Sequence, residues 1–299
     1  MVSEIDHLLT WEGALAEAMA WSPGLPPWRR EDHHRKRLKL CTHRRGSLGF
    51  RQLNVFGNRK ASTLISTGND REATLGELAR LILALERSNP VRVDGRTASG
   101  KTTFADELGV VVAQRNREVI RTSIDGFHRP RAERYARGRY SPEGYYFDAR
   151  DLGAIRGLLL DPLGPGGGRQ YRRASFDLER DATIEQAPLT ASANSVLVVD
   201  GTFLQRPELV DGWDVTVFLD TSEAVSERRG VRRDAERLGG ADLASRLYAE
   251  RYRPAFALYE RLCQPRLIAD VVVDNNDFEH PLIFVRSGGR LRPNPGGSD

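Results

Sequence analysis

The stretch "VRVDGRTASGKTTFADELG", from Val91 to Gly109, limits the possible fold of this chain more than any other feature. Residues Gly95 to Thr102 match the pattern G-x-x-x-x-G-K-[ST] at every position, after a short apolar run and before a helix-forming one. Glycines at this spacing let backbone N–H groups turn inward around a phosphate, and the positive end of the following helix points at it. The sequence therefore predicts a strand, a phosphate-binding loop and a helix, with a nucleoside triphosphate as the ligand.

The side chains of this loop have separate roles in holding a triphosphate. Lys101 reaches the β- and γ-phosphates, and the hydroxyl of Thr102 is a ligand for Mg²⁺. The residues that we expect to bind ATP are Gly95, Arg96, Thr97, Ala98, Ser99, Gly100, Lys101, Thr102 and Thr103. The sequence contains no Asn-Lys-x-Asp element for guanine recognition, which argues against a GTPase. The choice between ATP and GTP as the phosphoryl donor stays open.

Apolar strands and helical stretches alternate after the loop. Strand patterns fall at "EVIRTSID", "SVLVVD", "WDVTVFLD" and "DVVVDN". Strands that are apolar almost throughout are typical of a parallel sheet covered on both faces. An amphipathic helix over "TLGELARLILALERSN", with Thr74 and Glu77 as its capping box, precedes the first strand. The pattern predicts an α/β domain over residues 71–287.

The positive charge of the chain is concentrated before this domain. The formal net charge is +4, but eleven Lys and Arg residues between Trp21 and Lys60 are opposed there only by Glu31 and Asp32. We expect residues 1–70 to be a basic, poorly ordered extension and residues 288–299 to be a disordered tail. Such an extension is either simply solvated or binds nucleic acid. A regulatory nucleotide-binding module with a nucleic-acid-binding tail is therefore the alternative of another functional class.

Composition limits the cellular setting. Hydrophobic residues make up 39% of the chain, and no uninterrupted apolar run approaches the roughly 20 residues of a membrane helix. Glu4 and Asp6 stand where a signal peptide has basic residues, and two cysteines are too few for a disulfide framework. We therefore expect a cytoplasmic protein without a membrane partner, and a homo-oligomer is left open.

Two aspartates follow strand patterns downstream of the loop. Asp125 ends the strand in "SIDGFHRPR", where a carboxylate beside the phosphate loop can accept a proton from a substrate hydroxyl. Asp200 ends the apolar strand in "SVLVVDG" and has the form of a Walker-B acid, which holds the Mg²⁺ shell. The alternative is a helix-cap or turn role for Asp125 and a turn-forming Asp-Gly for Asp200. The arginines of "SERRGVRRDAERLGG" form either a solvated helix face or a lid over the transferring phosphoryl group.

The order of these motifs resembles the uridine kinase family, with its related phosphoribulokinase and bacterial pantothenate kinase branches. The loop is followed by "IDGF", "YYFDARD", "YRRASFDLERD", "VVDG", "RRGVRRD" and "ADVVVDN", and the resemblance covers residues 74–277. It implies a P-loop fold like that of the nucleoside monophosphate kinases. That fold has a five-stranded parallel sheet, helices on both faces and an arginine-rich lid.

The resemblance also implies roles for single residues. Asp125 matches the family's catalytic aspartate, and Asp148 matches the aspartate of its Asn-Phe-Asp-His-Pro element, which binds the ribose hydroxyls. The further candidates are the substrate contacts Phe127, His128 and Tyr171 and the lid arginines Arg229 and Arg233.

Three positions depart from the family pattern. Asp200 stands where the family has Glu, which shortens the reach to the same metal shell. Phe176 stands where a base-contacting histidine is expected, five residues after Tyr171, and Gly230 replaces one lid arginine. Whether Tyr145 and its aromatic neighbours stack on a base or pack in the core stays open.

The implied activity is transfer of a phosphoryl group from ATP, with Mg²⁺, to a hydroxyl of a small metabolite. The 5′-hydroxyl of uridine or cytidine is the first acceptor that the resemblance favours. Because Phe176 replaces the base-contacting residue, pantothenate, nicotinamide riboside and a sugar phosphate remain alternatives.

Overall fold

Strands and helices alternate along residues 62–65, 71–85 and 90–293, the part of the chain that the computed structural model describes. The strands are β1 (Ser62–Leu64), β2 (Val91–Gly95), β3 (Val119–Ser123), β4 (Gln170–Tyr171), β5 (Phe176–Asp177), β6 (Ala182–Thr183), β7 (Leu189–Thr190), β8 (Val196–Gly201), β9 (Val215–Asp220), β10 (Val271–Asp274) and β11 (Leu282–Arg286). The helices are α1 (Arg71–Leu83), α2 (Lys101–Ala113), α3 (Arg131–Arg134), α4 (Leu152–Ile155), α5 (Asp161–Leu163), α6 (Glu223–Leu238), α7 (Ala241–Leu247), α8 (Arg253–Cys263) and α9 (Pro265–Ile268). Short 3₁₀ or π turns lie at Ile124–Phe127, Gly144–Asp148, Arg156–Leu160, Val210–Gly212 and Tyr248–Tyr252.

The central sheet has the strand order β1-β11-β10-β9-β2-β8-β3. The run from β10 to β3 is parallel, which confirms the predicted five-stranded parallel sheet. β11 and β1 extend one edge with antiparallel pairing. Because β2, β8 and β3 are neighbours in the parallel part, the residues that follow them meet at one edge of the sheet. Two small hairpin-like pairs, β4 with β7 and β5 with β6, lie outside the central sheet.

Apolar side chains fill both faces of this sheet. Along β8, Val196 and Val198 belong to one buried cluster, whereas Leu197 and Val199 belong to another. Successive strand residues point to opposite faces, so the alternation places one cluster on each side. Helices α1 and α2 contribute to the first cluster, and the helical residues 152–163 contribute to the second. The carboxyl edge of the sheet is therefore held from both faces.

Helix α1 begins earlier than the sequence pattern predicts. It starts at Arg71, so Thr74 lies inside the helix, and Glu77 forms an ion pair with Arg80 at 2.6 Å. The capping-box prediction for Thr74 and Glu77 is therefore wrong. The predicted apolar face is confirmed, since Leu75, Leu78, Leu81 and Ile82 are buried, and Leu85, just beyond the helix, is partly buried against the same cluster. Among the described helices, none is long and apolar enough to cross a membrane.

One strand lies in the segment that we expected to be a poorly ordered extension. Ser62–Leu64 pairs with β11, and the backbone N–H of Ile65 donates to the carbonyl of Ile283 at 3.0 Å. A sheet edge presents unpaired N–H and C=O groups, which a short apolar segment can satisfy. The other residues of 1–70 lie outside the described part of the chain, so their order and any nucleic-acid binding stay predictions.

The C-terminal end of the domain extends beyond residue 287. Leu291 is only 2% exposed within the first cluster, and the Arg290 guanidinium donates to the carbonyls of Trp213 at 2.8 Å and Asp214 at 2.6 Å. Residues 288–293 are thus packed on the domain, because Leu291 buries apolar surface in its core. The predicted disordered tail is wrong for them, and residues 294–299 lie outside the described part.

Candidate active site

The glycine-rich loop joins β2 to α2 as predicted. Gly100 precedes the helix at φ 94°, and Ala98 also has a positive φ of 60°. A Cβ at Gly100 would lie 2.6 Å from Nδ2 of Asn275, so glycine is required there for its backbone angle and for space. The loop is closed by a hydrogen bond from the Ser99 N–H to the Arg96 carbonyl at 3.1 Å.

Two side chains from distant strand ends support the outer turn of the loop. Asn275, after β10, donates from Nδ2 to the Ser99 carbonyl at 2.8 Å, and the Thr221 hydroxyl, after β9, donates to the same carbonyl at 3.2 Å. Both side chains are almost fully buried. These two hydrogen bonds fix the Ser99 carbonyl toward the ends of β9 and β10. The sequence motif "ADVVVDN" contained Asn275, but nothing in the pattern assigned it this contact.

The inner end of the loop rests on Asp94, the residue before Gly95. Its carboxylate accepts hydrogen bonds from the Gly95 N–H at 2.8 Å, from Gln205 Nε2 at 3.1 Å and from the Tyr259 hydroxyl. Asp94 is fully buried, and burial raises its pKa despite these hydrogen bonds. The loop is thus tied to β2 below it and to α8, the helix that carries Tyr259.

Lys101 is the first residue of α2 and is 7% exposed. Its ammonium donates to the Arg96 carbonyl at 2.5 Å, across the mouth of the loop. Burial lowers the pKa of Lys101 to about 8, although the charges of Asp200, Asp94 and Asp125 act in the opposite direction. The ammonium therefore lies in a desolvated position, where an anionic ligand would strongly favour its charged form.

Thr102 and Asp200 meet beside the loop, as the sequence predicts for a metal site. The Thr102 hydroxyl donates to Oδ2 of Asp200 at 2.8 Å, and Oδ1 of Asp200 lies 2.7 Å from the Arg121 guanidinium. No group of three or more His, Cys, Asp or Glu side chains in the described residues could hold a metal ion alone. Mg²⁺ commonly takes one or two protein oxygens and completes its shell with phosphate and water, so this oxygen pair fits it. Arg121 would share Asp200 with the ion.

Asp125 lies at the carboxyl end of β3, in the short turn Ile124–Phe127. Its side chain is 66% exposed, and Oδ1 accepts a hydrogen bond from Arg150 Nη2 at 2.6 Å. Partial desolvation acts to raise the pKa of Asp125, but the charges of Arg150 and Lys101 hold it below its usual value. The carboxylate is therefore ionised, accessible and placed at the same sheet edge as Lys101. These are the properties required of the predicted proton acceptor.

His128 packs beneath this turn. Its Nδ1 is 2.8 Å from the carbonyl of Asp125, and its backbone pairs with that of Arg150 in an isolated bridge. Burial and then the charge of Arg150 lower the pKa of His128 to about 3. The imidazole is therefore neutral, with Nδ1 protonated because a carbonyl can only accept. In this conformation it positions the Asp125 turn.

The other substrate candidates differ in accessibility. The Asp148 side chain is 26% exposed, and its carboxylate accepts a hydrogen bond from Arg137 at 2.8 Å. Phe127 and Tyr171 are 0% and 3% exposed within the second apolar cluster. Both side chains are enclosed by the core, so the substrate contacts expected of these two residues stay predictions. A role for Asp148 stays a prediction.

The aromatic residues of "YYFDARD" pack rather than line an open pocket. Tyr145 and Tyr146 are buried and contact the Phe203 ring at centroid distances of 5.3 and 5.1 Å. Tyr145 also reaches the loop, since its hydroxyl is 3.5 Å from that of Thr97. Phe176, at the expected base-contacting position, is 5% exposed. The alternative of core packing is the one that the structure supports.

The arginines predicted to form a lid lie on helix α6, and the two candidates among them are held differently. Arg229 donates to the carbonyls of Asn275 and Asn276, each at 2.9 Å. Arg233 has a 60% exposed side chain and pairs with the adjacent Asp234 at 2.9 Å. Burial lowers the Lys101 pKa most, and the charge of Arg233 lowers it further, so Arg233 acts on the loop electrostatically. Arg229 joins the helix to the Asn275 segment, whereas Arg233 is accessible to a ligand.

Tyr248 explains why glycine replaces an arginine in this lid. A Cβ at Gly230 would lie 1.9 Å from the Tyr248 hydroxyl oxygen. That hydroxyl donates to Oδ2 of the buried Asp234 at 3.1 Å, and Tyr248 itself is 4% exposed. Any side chain at residue 230 would displace this packed contact, so the departure from the family motif has a steric cause.

The site also contains an arginine that sequence reasoning missed. Arg150 contacts Asp125, yet the pattern offered only its neighbour Asp148 as a functional residue. In the family's Asn-Phe-Asp-His-Pro element the position of Arg150 is the proline, so the substitution of a cation for proline was the available signal. Arg121, on β3 beside Asp200, had no comparable signal in its sequence context.

Comparisons with known proteins agree with this geometry. No family model matches the chain. It is 27% identical over 189 residues to uridine-cytidine kinase B of Dictyostelium discoideum, a match covering 61% of this chain and 73% of the relative. A solved structure of a possible uridine kinase from Bacillus stearothermophilus has a TM-score of 0.53 at 24% identity, over 66% of this chain and 96% of the other. A candidate fructose transport system kinase from a Silicibacter species gives 0.55 at 22% identity, over 66% and 98%.

The fold and the loop geometry define the class of P-loop NTPase folds, which the two solved structures share. Within that class, the curated relative and the solved structures confirm the resemblance to the uridine kinase family of P-loop small-molecule kinases. The curated relative supports phosphoryl transfer to a small metabolite. The acceptor itself is a separate matter.

Proposed function

We propose that the protein is an ATP- and Mg²⁺-dependent kinase for a hydroxyl group of a small metabolite. The observation that carries the proposal is the accessible, ionised Asp125 at the sheet edge that also holds Lys101 and the Thr102–Asp200 pair. The name of the Dictyostelium relative favours the 5′-hydroxyl of uridine or cytidine. A second candidate, an acceptor that carries a negative charge, is favoured by the buried Phe176 and by Arg150 beside Asp125.

In the proposed reaction the loop N–H groups and Lys101 hold the donor phosphates, and Arg233 approaches the transferring phosphoryl group. Thr102 and Asp200 would hold Mg²⁺, which neutralises phosphate charge when it is bound. The acceptor oxygen forms a bond to the γ-phosphorus as the bond from that phosphorus to the β–γ bridging oxygen breaks. The hydroxyl proton passes to the Asp125 carboxylate, and ADP leaves with the bridging oxygen.

A panel of acceptors tests the proposal. The protein is incubated with ATP and Mg²⁺ and, separately, with uridine, cytidine, nicotinamide riboside, pantothenate or ribose 5-phosphate, and ADP and phosphorylated product are both measured. We expect stoichiometric ADP and product with at least one acceptor. ADP release that no acceptor increases, with no phosphorylated product, would contradict the proposal. Repeating the active arm with GTP establishes which donor is preferred.

A further inference from the structure

Arg150 is a buried guanidinium with an incomplete set of hydrogen bonds at the acceptor side of the site. The residue is 8% exposed, and its Nη2 donates to Oδ1 of Asp125 at 2.6 Å. Among the described residues, neither its Nε nor its Nη1 has a hydrogen-bond partner. Buried donors without a partner are costly and uncommon in folded proteins, so these two N–H groups call for an explanation.

The geometry of the ion pair points to that explanation. A guanidinium binds a carboxylate or phosphate best through two parallel N–H···O bonds. Asp125 receives only one bond from Arg150, and its side chain is 66% exposed. The protein therefore satisfies only part of the hydrogen-bonding capacity of the Arg150 guanidinium. The carboxylate that it binds, Asp125, is the group proposed to accept the substrate proton.

A second buried arginine shares the same aromatic ring. The guanidinium carbons of Arg150 and Arg251 lie 5.8 and 4.9 Å from the centroid of Tyr145. Arg251 is 5% exposed, donates to the Arg139 carbonyl at 2.8 Å, and its Nε has no partner among the described residues. The Tyr145 hydroxyl lies 3.5 Å from that of Thr97, so the arginine pair is next to the phosphate loop.

Positive charge exceeds negative charge at this place. Asp125 neutralises Arg150, and Asp148, two residues before Arg150 in the sequence, is already paired with Arg137. No carboxylate of the described residues forms an ion pair with Arg251. A neutral acceptor would leave this excess unopposed, whereas an anionic group would satisfy it.

We propose that Arg150 determines specificity by binding an anionic group, a carboxylate or a phosphate, on the acceptor. The inference rests on the proposed kinase function and names the class of acceptor for that site. When the anionic group binds the free N–H groups of Arg150, the guanidinium turns from Asp125, and Oδ1 becomes available to the attacking hydroxyl. Only an acceptor with such a group would release the base in this way.

The test compares acceptors that differ only in the charged group. The matched pairs are pantothenate with pantothenol, ribose 5-phosphate with ribose, and orotidine with uridine; the first and third carry a carboxylate and the second a phosphate. For each compound, kcat/KM is measured with ATP and Mg²⁺, and the dissociation constant is measured by calorimetry without ATP. The full chain is used as wild type, Arg150→Gln, Arg150→Lys and the control Arg156→Gln, whose arginine pairs with Asp161 and Asp211.

We expect the wild type to prefer the anionic member of at least one pair by about 10- to 100-fold, the range of a charge-assisted hydrogen bond. Arg150→Gln should remove this preference, Arg150→Lys should restore part of it, and the control should retain it. Preference for the neutral member in all three pairs, or a preference that survives in Arg150→Gln, would overturn the inference. The wild-type comparison decides the matter even if Arg150→Gln does not fold.

The two measurements separate this inference from the proposed function. Preferential binding of an anionic member without phosphorylation of any compound supports the role of Arg150 and contradicts the kinase proposal. Phosphorylation of neutral members alone supports the kinase proposal and contradicts the role of Arg150. If nothing binds and nothing is phosphorylated, both are wrong.

Discussion

The donor and acceptor sides of the candidate active site are built in different ways. On the donor side, contiguous residues 95–103 form the loop, and its shape depends on backbone angles such as φ 94° at Gly100. On the acceptor side, Asp125 and Arg150 come from separate segments and meet through one side-chain ion pair. A contiguous backbone loop can be recognised from sequence and tolerates little change. A site made of side chains can change its ligand by single substitutions, which is why the donor is easier to infer than the acceptor.

The two sides also differ in their electrostatics. Burial lowers the pKa of Lys101 to about 8, so the donor side is prepared for a ligand that brings negative charge. On the acceptor side, cationic neighbours more than offset desolvation and keep the pKa of Asp125 low. The base is therefore ionised throughout the neutral range but is weak until Arg150 is drawn away.

The largest expected effect comes from a substitution on the acceptor side that leaves the donor side intact. Asp125→Asn should lower kcat by about 100- to 10,000-fold, because the variant loses the proton acceptor. The ATP dissociation constant should stay within about twofold, because the donor loop is unchanged. Steady-state kinetics and calorimetry measure the two quantities. Asp211→Asn, which removes the ion pair with Arg156 outside the candidate active site, is the control and should leave kcat and the ATP dissociation constant unchanged. Undiminished turnover in Asp125→Asn would contradict the assignment.

Two glycines with nearly the same backbone conformation sharpen the comparison. Gly100 has φ 94° and its Cβ would meet Asn275, whereas Gly138, before the acceptor segment, has φ 95° and open space around it. Alanine at either position is strained by about 1–2 kcal/mol. Gly100→Ala should lower the free energy of unfolding by about 1–3 kcal/mol more than Gly138→Ala does, through overpacking, and should weaken ATP binding.

Chemical denaturation measures both glycine variants. If the two variants lose equal stability, the Asn275 contact contributes nothing, and the donor loop is less tightly supported than proposed.

The two candidate lid arginines should affect different quantities, Arg229 the stability of the protein and Arg233 its turnover. Arg229→Ala removes two hydrogen bonds to the Asn275 and Asn276 carbonyls and should lower the free energy of unfolding by about 1–3 kcal/mol. Arg233→Ala removes a 60% exposed arginine, and the buried Asp234 keeps Arg237 and the Tyr248 hydroxyl as partners. Stability should therefore change by less than about 1 kcal/mol while kcat falls. Denaturation and kinetics on both variants give the four values. An Arg233→Ala protein with normal kcat would remove Arg233 from the proposed lid function.

The smallest expected effect is a proton linkage on the donor side. Bound triphosphate favours charged Lys101 and raises its pKa above about 8, so ATP binding should take up a proton. Affinity should therefore fall by up to about tenfold per pH unit above pH 8. In the ligand-free protein the unfolded chain binds this proton more tightly, so Lys101 makes stability rise between about pH 8 and 10.5.

Calorimetry at pH 8.5 in two buffers of different ionisation enthalpy measures the proton uptake. Equal apparent enthalpies in the two buffers would contradict the pKa assigned to Lys101.

Much of the fold followed from local pattern. The apolar strands and the glycine loop predicted the parallel sheet and its order of motifs, because each depends on residues that are neighbours in the chain. The pattern failed at chain ends: Ser62–Leu64 and Leu291 join the domain through contacts with distant partners. The family resemblance places Phe127 and Tyr171 at the substrate, whereas the structure encloses both in the second apolar cluster, so their substrate contact stays a prediction.

The sequence by itself determined the phosphate loop, its lysine and the strands that carry Asp125 and Asp200, since backbone spacing and strand periodicity are local properties. Only the tertiary structure decided which side chains complete the site. Arg150 meets Asp125 across 25 residues, Asn275 meets Ser99 across 176, and Tyr248 closes on Gly230 from another helical segment. Such contacts form only when separate elements pack together, so local sequence pattern does not reveal which side chains meet or which N–H groups are left without a partner.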